Sequence, residues 1–180
     1  MARFTVAAVG TDRPGIVAAV SAALVAAGCN LEDSSMTILG GQFAILLVLS
    51  APDTATEASV RTSLDPAAQD FGLSVTVQGV LAGAAPAQGS DTADWTVSVY
   101  GADHPGIVHA VTRLLADDGV NIVDLSTRVI GPPDAAVYAM TLDVALPEAL
   151  DPDQLATRLG ALSSEIGVDA SLHRSQADIL

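Results

Sequence analysis

Gly10-Thr11-Asp12-Arg13-Pro14-Gly15-Ile16-Val17 returns 91 residues later as Gly101-Ala102-Asp103-His104-Pro105-Gly106-Ile107-Val108. The register continues without a gap through Gly28-Cys29-Asn30-Leu31-Glu32-Asp33 and Gly119-Val120-Asn121-Ile122-Val123-Asp124. Of the 26 positions in 10–35, 13 are identical to their counterparts in 101–126. Chance would supply only a few, so the chain carries a duplication. The period is too long for a solenoid repeat and suits a whole small domain. The expected organisation is a first domain over 1–81, a linker over 82–93, a second domain over 94–176 and a short tail over 177–180. The linker is placed where small residues, Gly and Pro dominate and apolar periodicity disappears.

Outward from the quoted stretch, both copies give the same order of elements. Phe4, Val6 and Ala8 alternate with Thr5 and Ala7 as a strand, and Trp95, Val97 and Val99 repeat it. Pro14 and Pro105 stand where a helix begins and a missing N–H is harmless. Ile16, Val20 and Leu24 then form one stripe, matched by Ile107, Val111 and Leu115. Gly28 and Gly119 are C-terminal stops. A second strand follows, polar in copy one (Glu32, Asp33, Ser34, Ser35) and alternating in copy two, where Val123, Leu125 and Val129 interleave with Asp124, Ser126 and Arg128. Gly40-Gly41 predicts a tight hairpin. The turn of copy two, 131–135, is about four residues longer. Third strands are expected over 43–49 and 138–144. Both faces of 43–49 are apolar, so cover on its open side is expected. Asp151-Pro152 caps a second helix with the stripe Leu155, Leu159, Leu162, Ile166. The equivalent helix near 56–71 contains Asp65-Pro66, which predicts a break or kink. Final strands lie near 73–80 and 168–173.

The order βαββαβ, twice, predicts an α+β fold. Each copy should close into a ferredoxin-like, four-stranded antiparallel sheet with two helices on one face.

Composition narrows the function. The 180 residues carry 21 acids against 7 bases, a formal charge of −14. All seven bases are Arg, which excludes a Schiff-base or phosphate-loop lysine. So acidic a chain is poorly suited to nucleic acid or an anionic membrane, and suits basic protein partners. The lone Cys29 excludes an intrachain disulfide and aligns with apolar Val120, so it reads as a small core residue. The N-terminus lacks the pattern of a signal peptide, giving a cytoplasmic expectation. No His, Cys or acid stands at metal-ligand spacing with His109 or His173, so no metal and no cofactor is expected.

Strand, Gly-x-Asp-x-Pro-Gly-Ile, helix, Gly-x-Asn-[Leu/Ile]-x-Asp, strand: this pattern, carried by both copies, resembles the ACT domain. A tandem pair is similar in architecture to the glycine cleavage system transcriptional repressor family, a regulatory group that acts through a partner protein rather than by touching DNA. The resemblance implies a small-ligand site at the first strand–helix loop, often at a domain interface, with amino acids as typical ligands. Carried over, it marks Asp12, Arg13, Pro14, Gly15, Ile16 and Asn30, and in copy two Asp103, His104, Pro105, Gly106, Ile107 and Asn121.

The chemistry of the loop agrees. A helix N-terminus offers free amides and partial positive charge to a carboxylate. Gly15 and Gly106 allow close approach to the backbone, the asparagines offer donor and acceptor, and an acid can pair with an ammonium; together these complement a zwitterion. Asp12 and Asp103 have a second reading, because an acid ahead of a helix commonly bonds the free amides of its own turn. Asn30 and Asn121 read equally as turn residues after the helix. Arg13 and His104 are expected in solvent, and Asp117-Asp118 on a solvated helix face. A Trp at Gly15 or Gly106 is expected to block the ligand and spare the fold.

The leading expectation is therefore a non-enzymatic regulator that binds a small amino acid such as glycine and modulates a regulatory protein partner, with homodimerisation open to it. A small enzyme on a ferredoxin-like scaffold is the first alternative, but no nucleophile–base motif is found, and no catalytic residue is assigned. A protein-binding scaffold without ligand is the second.

Overall fold

A computed structural model describes residues 1–80, 93–132 and 136–175. The linker expected over 82–93, apart from Ala93, the tail over 177–180 and most of the longer turn of copy two lie outside the described residues. The chain divides into two compact units, Met1–Ala84 and Ala85–Leu180. Unit 1 runs β1 (Ala2–Thr11), α1 (Ile16–Ala26), β2 (Asn30–Leu39), β3 (Gln42–Ala51), α2 (Glu57–Phe71), β4 (Ser74–Gly79). Unit 2 runs β5 (Trp95–Ala102), α3 (Ile107–Asp117), β6 (Asn121–Ile130), β7 (Val137–Ala145), α4 (Pro152–Ile166), β8 (Val168–Arg174). Each forms a four-stranded antiparallel sheet, in the orders β2-β3-β1-β4 and β6-β7-β5-β8. The α+β, ferredoxin-like βαββαβ fold is present twice.

Strand alternation builds each core. In unit 1 Phe4, Val6 and Ala8 of β1 and Phe43, Ile45, Leu47 and Leu49 of β3 face the helices and are buried; Ile16, Val20 and Leu24 of α1 meet them. In unit 2 Val97, Val99, Met140, Leu142 and Val144 meet Ile107, Val111 and Leu115. Gly28 and Gly119 adopt left-handed φ of 72° and 68°, and the amides after them, Cys29 and Val120, bond back to Leu24 and Leu115 at 2.9 Å, closing both helices in Schellman fashion. Gly40 and Gly41, at φ 58° and 78°, make the two-residue hairpin between the paired Leu39 and Gln42. Cys29 is buried, and burial pushes its thiol above the usual range.

Two expectations change. α2 runs unbroken through Pro66. The carbonyl that Pro66 leaves free belongs to Thr62, which is exposed and can bond water, and the Arg61–Asp65 ion pair bridges the same turn. Asp118 is not solvated: its side chain is 8% exposed at the C-cap of α3, paired with Arg158 of α4, and its Oδ2 has no partner. Asp117 pairs with Arg113 one turn back. On the open face of β3, Leu46 is half exposed.

Two helices are too narrow to cover four strands. The edge strands β2 and β6 are therefore exposed along nearly their whole length, even at apolar positions such as Met36, Ile38, Leu125 and Val129. A bulge interrupts both strands at the same place, between Leu31 and Asp33 and between Ile122 and Asp124. Such bulges twist an edge away from unwanted pairing. No helix among the described residues is long and apolar enough to cross a membrane.

Candidate functional site

Both first helices start in an unusual way. β1 hands over through Asp12, whose amide bonds the Gly41 carbonyl at 3.0 Å, and Arg13 and Pro14 lead to Gly15 at the N-cap. Gly15 has φ 100° and ψ −11°; Gly106, before α3, has φ 102° and ψ −10°. Ordinary N-caps are extended residues whose side chain accepts from the first turn. Here the cap is left-handed, contributes no side-chain bond, and no acid occupies the first turn of either helix. The amides after Gly15 and Gly106 are thus left without the partners a helix start needs.

The other two helices show that this is selective. Thr56 caps α2 in a reciprocal box with Ser59, the two bonds measuring 3.1 and 2.9 Å. Asp151 caps α4 through the Asp153 amide at 3.0 Å. Each such cap is typically worth about 1 kcal/mol. The chain forgoes that at both copies of the loop, leaving paired sites of partial positive charge. Among the described residues neither Asp12 nor Asp103 makes a side-chain hydrogen bond to the first-turn amides of these helices.

In unit 1 the junction opens on a hollow of about 520 Å³. Asp12, Arg13, Pro14, Gly15 and Ile16 all line it, with Val17 and Ala18 of the first turn and Met36 and Phe43 of the sheet. It exists because α1 covers β1 and β3 and leaves the flank of β2 open. Met36, Phe43 and Val17 were missed in the sequence; the available signal was the apolar set Leu31, Met36, Ile38 on a strand that otherwise looked polar.

Asn30 and Asn121 do not join these loops. Asn30 pairs with Ser50, and Ser50 with Arg3, at the start of β1, whereas Asp12 follows its far end. Nine strand residues at ~3.3 Å separate the two ends by about 30 Å. The physical reason is that α1 runs back along the sheet before β2 begins. Asn121, opposite Ala145, is displaced from Asp103 in the same way. No single amino acid spans loop and asparagine within one unit.

Arg13 is exposed. His104, at the same register position, is half-buried: its Nε2 donates to the Ile166 carbonyl at 2.9 Å, at the end of α4, and Nδ1 lies 3.2 Å from the Pro105 carbonyl. It is a structural tie as well as a loop residue. Tyr138, also missed, occupies the place of Phe43, since Gly10 pairs with Phe43 and Gly101 with Tyr138. Burial, the largest cause, raises its phenol above the usual range; a hydrogen bond with the Thr127 hydroxyl lowers it and the charge of Asp103 raises it. The blocking Trp at Gly15 or Gly106 would carry a strain cost, because φ near 100° is unfavourable for any L side chain. Among the described residues no group of three or more His, Cys, Asp or Glu is arranged to hold a metal.

Known proteins share this architecture. Models of the ACT domain match residues 3–78 and 95–163. The glycine cleavage system transcriptional repressor of Escherichia coli K12 is 26% identical over 170 residues, covering 93% of this chain and 87% of that protein. A crystal structure of a protein of unknown function from Galdieria sulphuraria is 33% identical, covers 97% of this chain and 99% of that one, and superposes with a TM-score of 0.81. A structure bearing the repressor's name, 24% identical over 97% of this chain and 98% of its own, superposes with a TM-score of 0.67 and shares the fold. With two ACT domains spanning most of its described residues, the chain belongs to the ACT domain family.

Proposed function

We propose that the protein is a non-enzymatic, cytoplasmic regulator whose ACT domains bind a small α-amino acid and relay its presence to a regulatory protein partner, without direct contact to nucleic acid or membrane. The carrying observation is the pair of glycine-capped helix starts at Gly15 and Gly106, uncapped where the same chain caps its other two helices. Their amides suit the carboxylate of the ligand. Asp12 and Asp103 are exposed beside them and suit its ammonium. Arg13, Pro14 and Ile16, with His104, Pro105 and Ile107, shape the loops; Asn30 and Asn121 lie outside the site of their own domain. The name of the Escherichia coli relative makes glycine the first ligand to try. Regulation requires the ligand to favour one state of the protein over another.

A thermal-shift panel of the twenty amino acids tests the ligand: at 100 times Kd a bound ligand stabilises by about 2.7 kcal/mol. A raised Tm with at least one amino acid is the expected result. A flat panel, together with capture of a protein partner unaffected by amino acids, would replace the sensor with a ligand-free scaffold. Turnover in phosphatase or esterase screens would replace it with an enzyme.

A further inference from the structure

The two junctions share a backbone and differ in their walls. Met36 pairs with Ile45 and Thr127 with Met140, so Met36 and Thr127 hold equivalent places, as do Phe43 and Tyr138. In unit 1 the hollow is walled by Met36, Phe43 and Val17, all apolar. In unit 2 the first two of those places each carry a hydroxyl. Tyr138 is only 9% exposed, and its hydroxyl lies 3.9 Å from the Met140 sulfur and interacts with the Thr127 hydroxyl. A polar hydroxyl pair thus stands where unit 1 has the phenyl ring of Phe43 and the thioether of Met36. The protonated form of the phenol is favoured by burial, so it stands as a donor at neutral pH. Tyr138 pairs with Gly101, two residues before Asp103, which places it at the junction.

Resting on the amino-acid binding proposed above, we infer that the two domains select different ligands: domain 1 an amino acid with an aliphatic or thioether side chain, domain 2 one with a hydroxyl or carboxamide. Met36 and Phe43 set the first preference, Thr127 and Tyr138 the second. A side-chain oxygen in domain 2 can accept from the Tyr138 or Thr127 hydroxyl. An oxygen placed against Met36 and Phe43 would lose its water with nothing in return.

Calorimetric titration of the full chain with L-leucine and L-asparagine tests this. The two should bind together without competing. Tyr138→Phe should weaken L-asparagine about tenfold and leave L-leucine unchanged. Thr127→Val, on an exposed edge strand, should act in the same direction and guards against a misfolded Tyr138 variant. Met36→Thr should weaken L-leucine alone. Competition between the two ligands, or equal effects of Tyr138→Phe on both, overturns the division of labour while leaving amino-acid binding in place. If none of the twenty amino acids gives heat or a thermal shift, the underlying binding function falls as well.

Discussion

Gly106→Ala isolates the backbone strain stored at the loop. A Cβ built on Gly106 meets nothing within 4 Å, so no steric overlap contributes. What remains is the conformation: φ of 102° costs an L residue roughly 1–2 kcal/mol. Part is offset, because alanine narrows the unfolded ensemble by about 0.4–1 kcal/mol. The net loss should be about 1 kcal/mol, read as a Tm lowered by roughly 4–8 °C for a domain of this size. Gly15→Ala should lose about as much, since its Cβ would stand in ordinary contact with Phe71 Cζ, at 3.4 Å. Gly101→Ala should be worst, since its Cβ would fall 2.8 Å from Val168 Cγ1 and 3.1 Å from the Val168 Cα. Urea unfolding of the three variants supplies the order. A neutral Gly106→Ala, or one as damaging as Gly101→Ala, would refute the left-handed cap as the reason for glycine.

Other substitutions probe the surroundings. Thr56→Ala removes a true cap and should cost about 1 kcal/mol in urea unfolding, without altering amino-acid binding. Arg158→Met strands the Asp118 carboxylate and should destabilise by about 1–2 kcal/mol more than Asp118→Asn, measured the same way. Cys29 should resist thiol reagents in the native protein and react on unfolding, because it is buried and its thiol is held protonated. Tyr138 has a folded pKa above its unfolded one, so its contribution is complete below the unfolded value and lost as pH climbs through the folded value; Tyr138→Phe should flatten the fall in stability on the alkaline side of about pH 10.

The duplicated Gly-x-Asp-x-Pro-Gly stretch and the four-residue stripes made both domains legible, because they are local signals: a turn that only glycine tolerates, and a helix face that must meet a sheet. Local signals also misled. Pro66 read as a break because sequence does not show that the carbonyl it frees, on Thr62, faces water. Asp118 read as solvated because its partner, Arg158, lies 40 residues away. Asn30 and Asn121 were grouped with the loops by their position in the motif, and the antiparallel return of α1 and α3 sends them to the far end of the sheet. Met36, Phe43 and Tyr138 escaped notice for a related reason: the width of two helices over four strands decides which strand flank stays open, and that is a property of the assembled domain.

Backbone amides at the helix starts can be watched directly. In a ¹⁵N–¹H correlation spectrum of the full chain, titrating in an amino acid that raises Tm should shift Ile16, Val17 and Ala18, or Ile107, Val108 and His109, ahead of all other resonances. Ligand-induced shifts that leave all six amides in place would contradict the assignment of these helix starts as the carboxylate site.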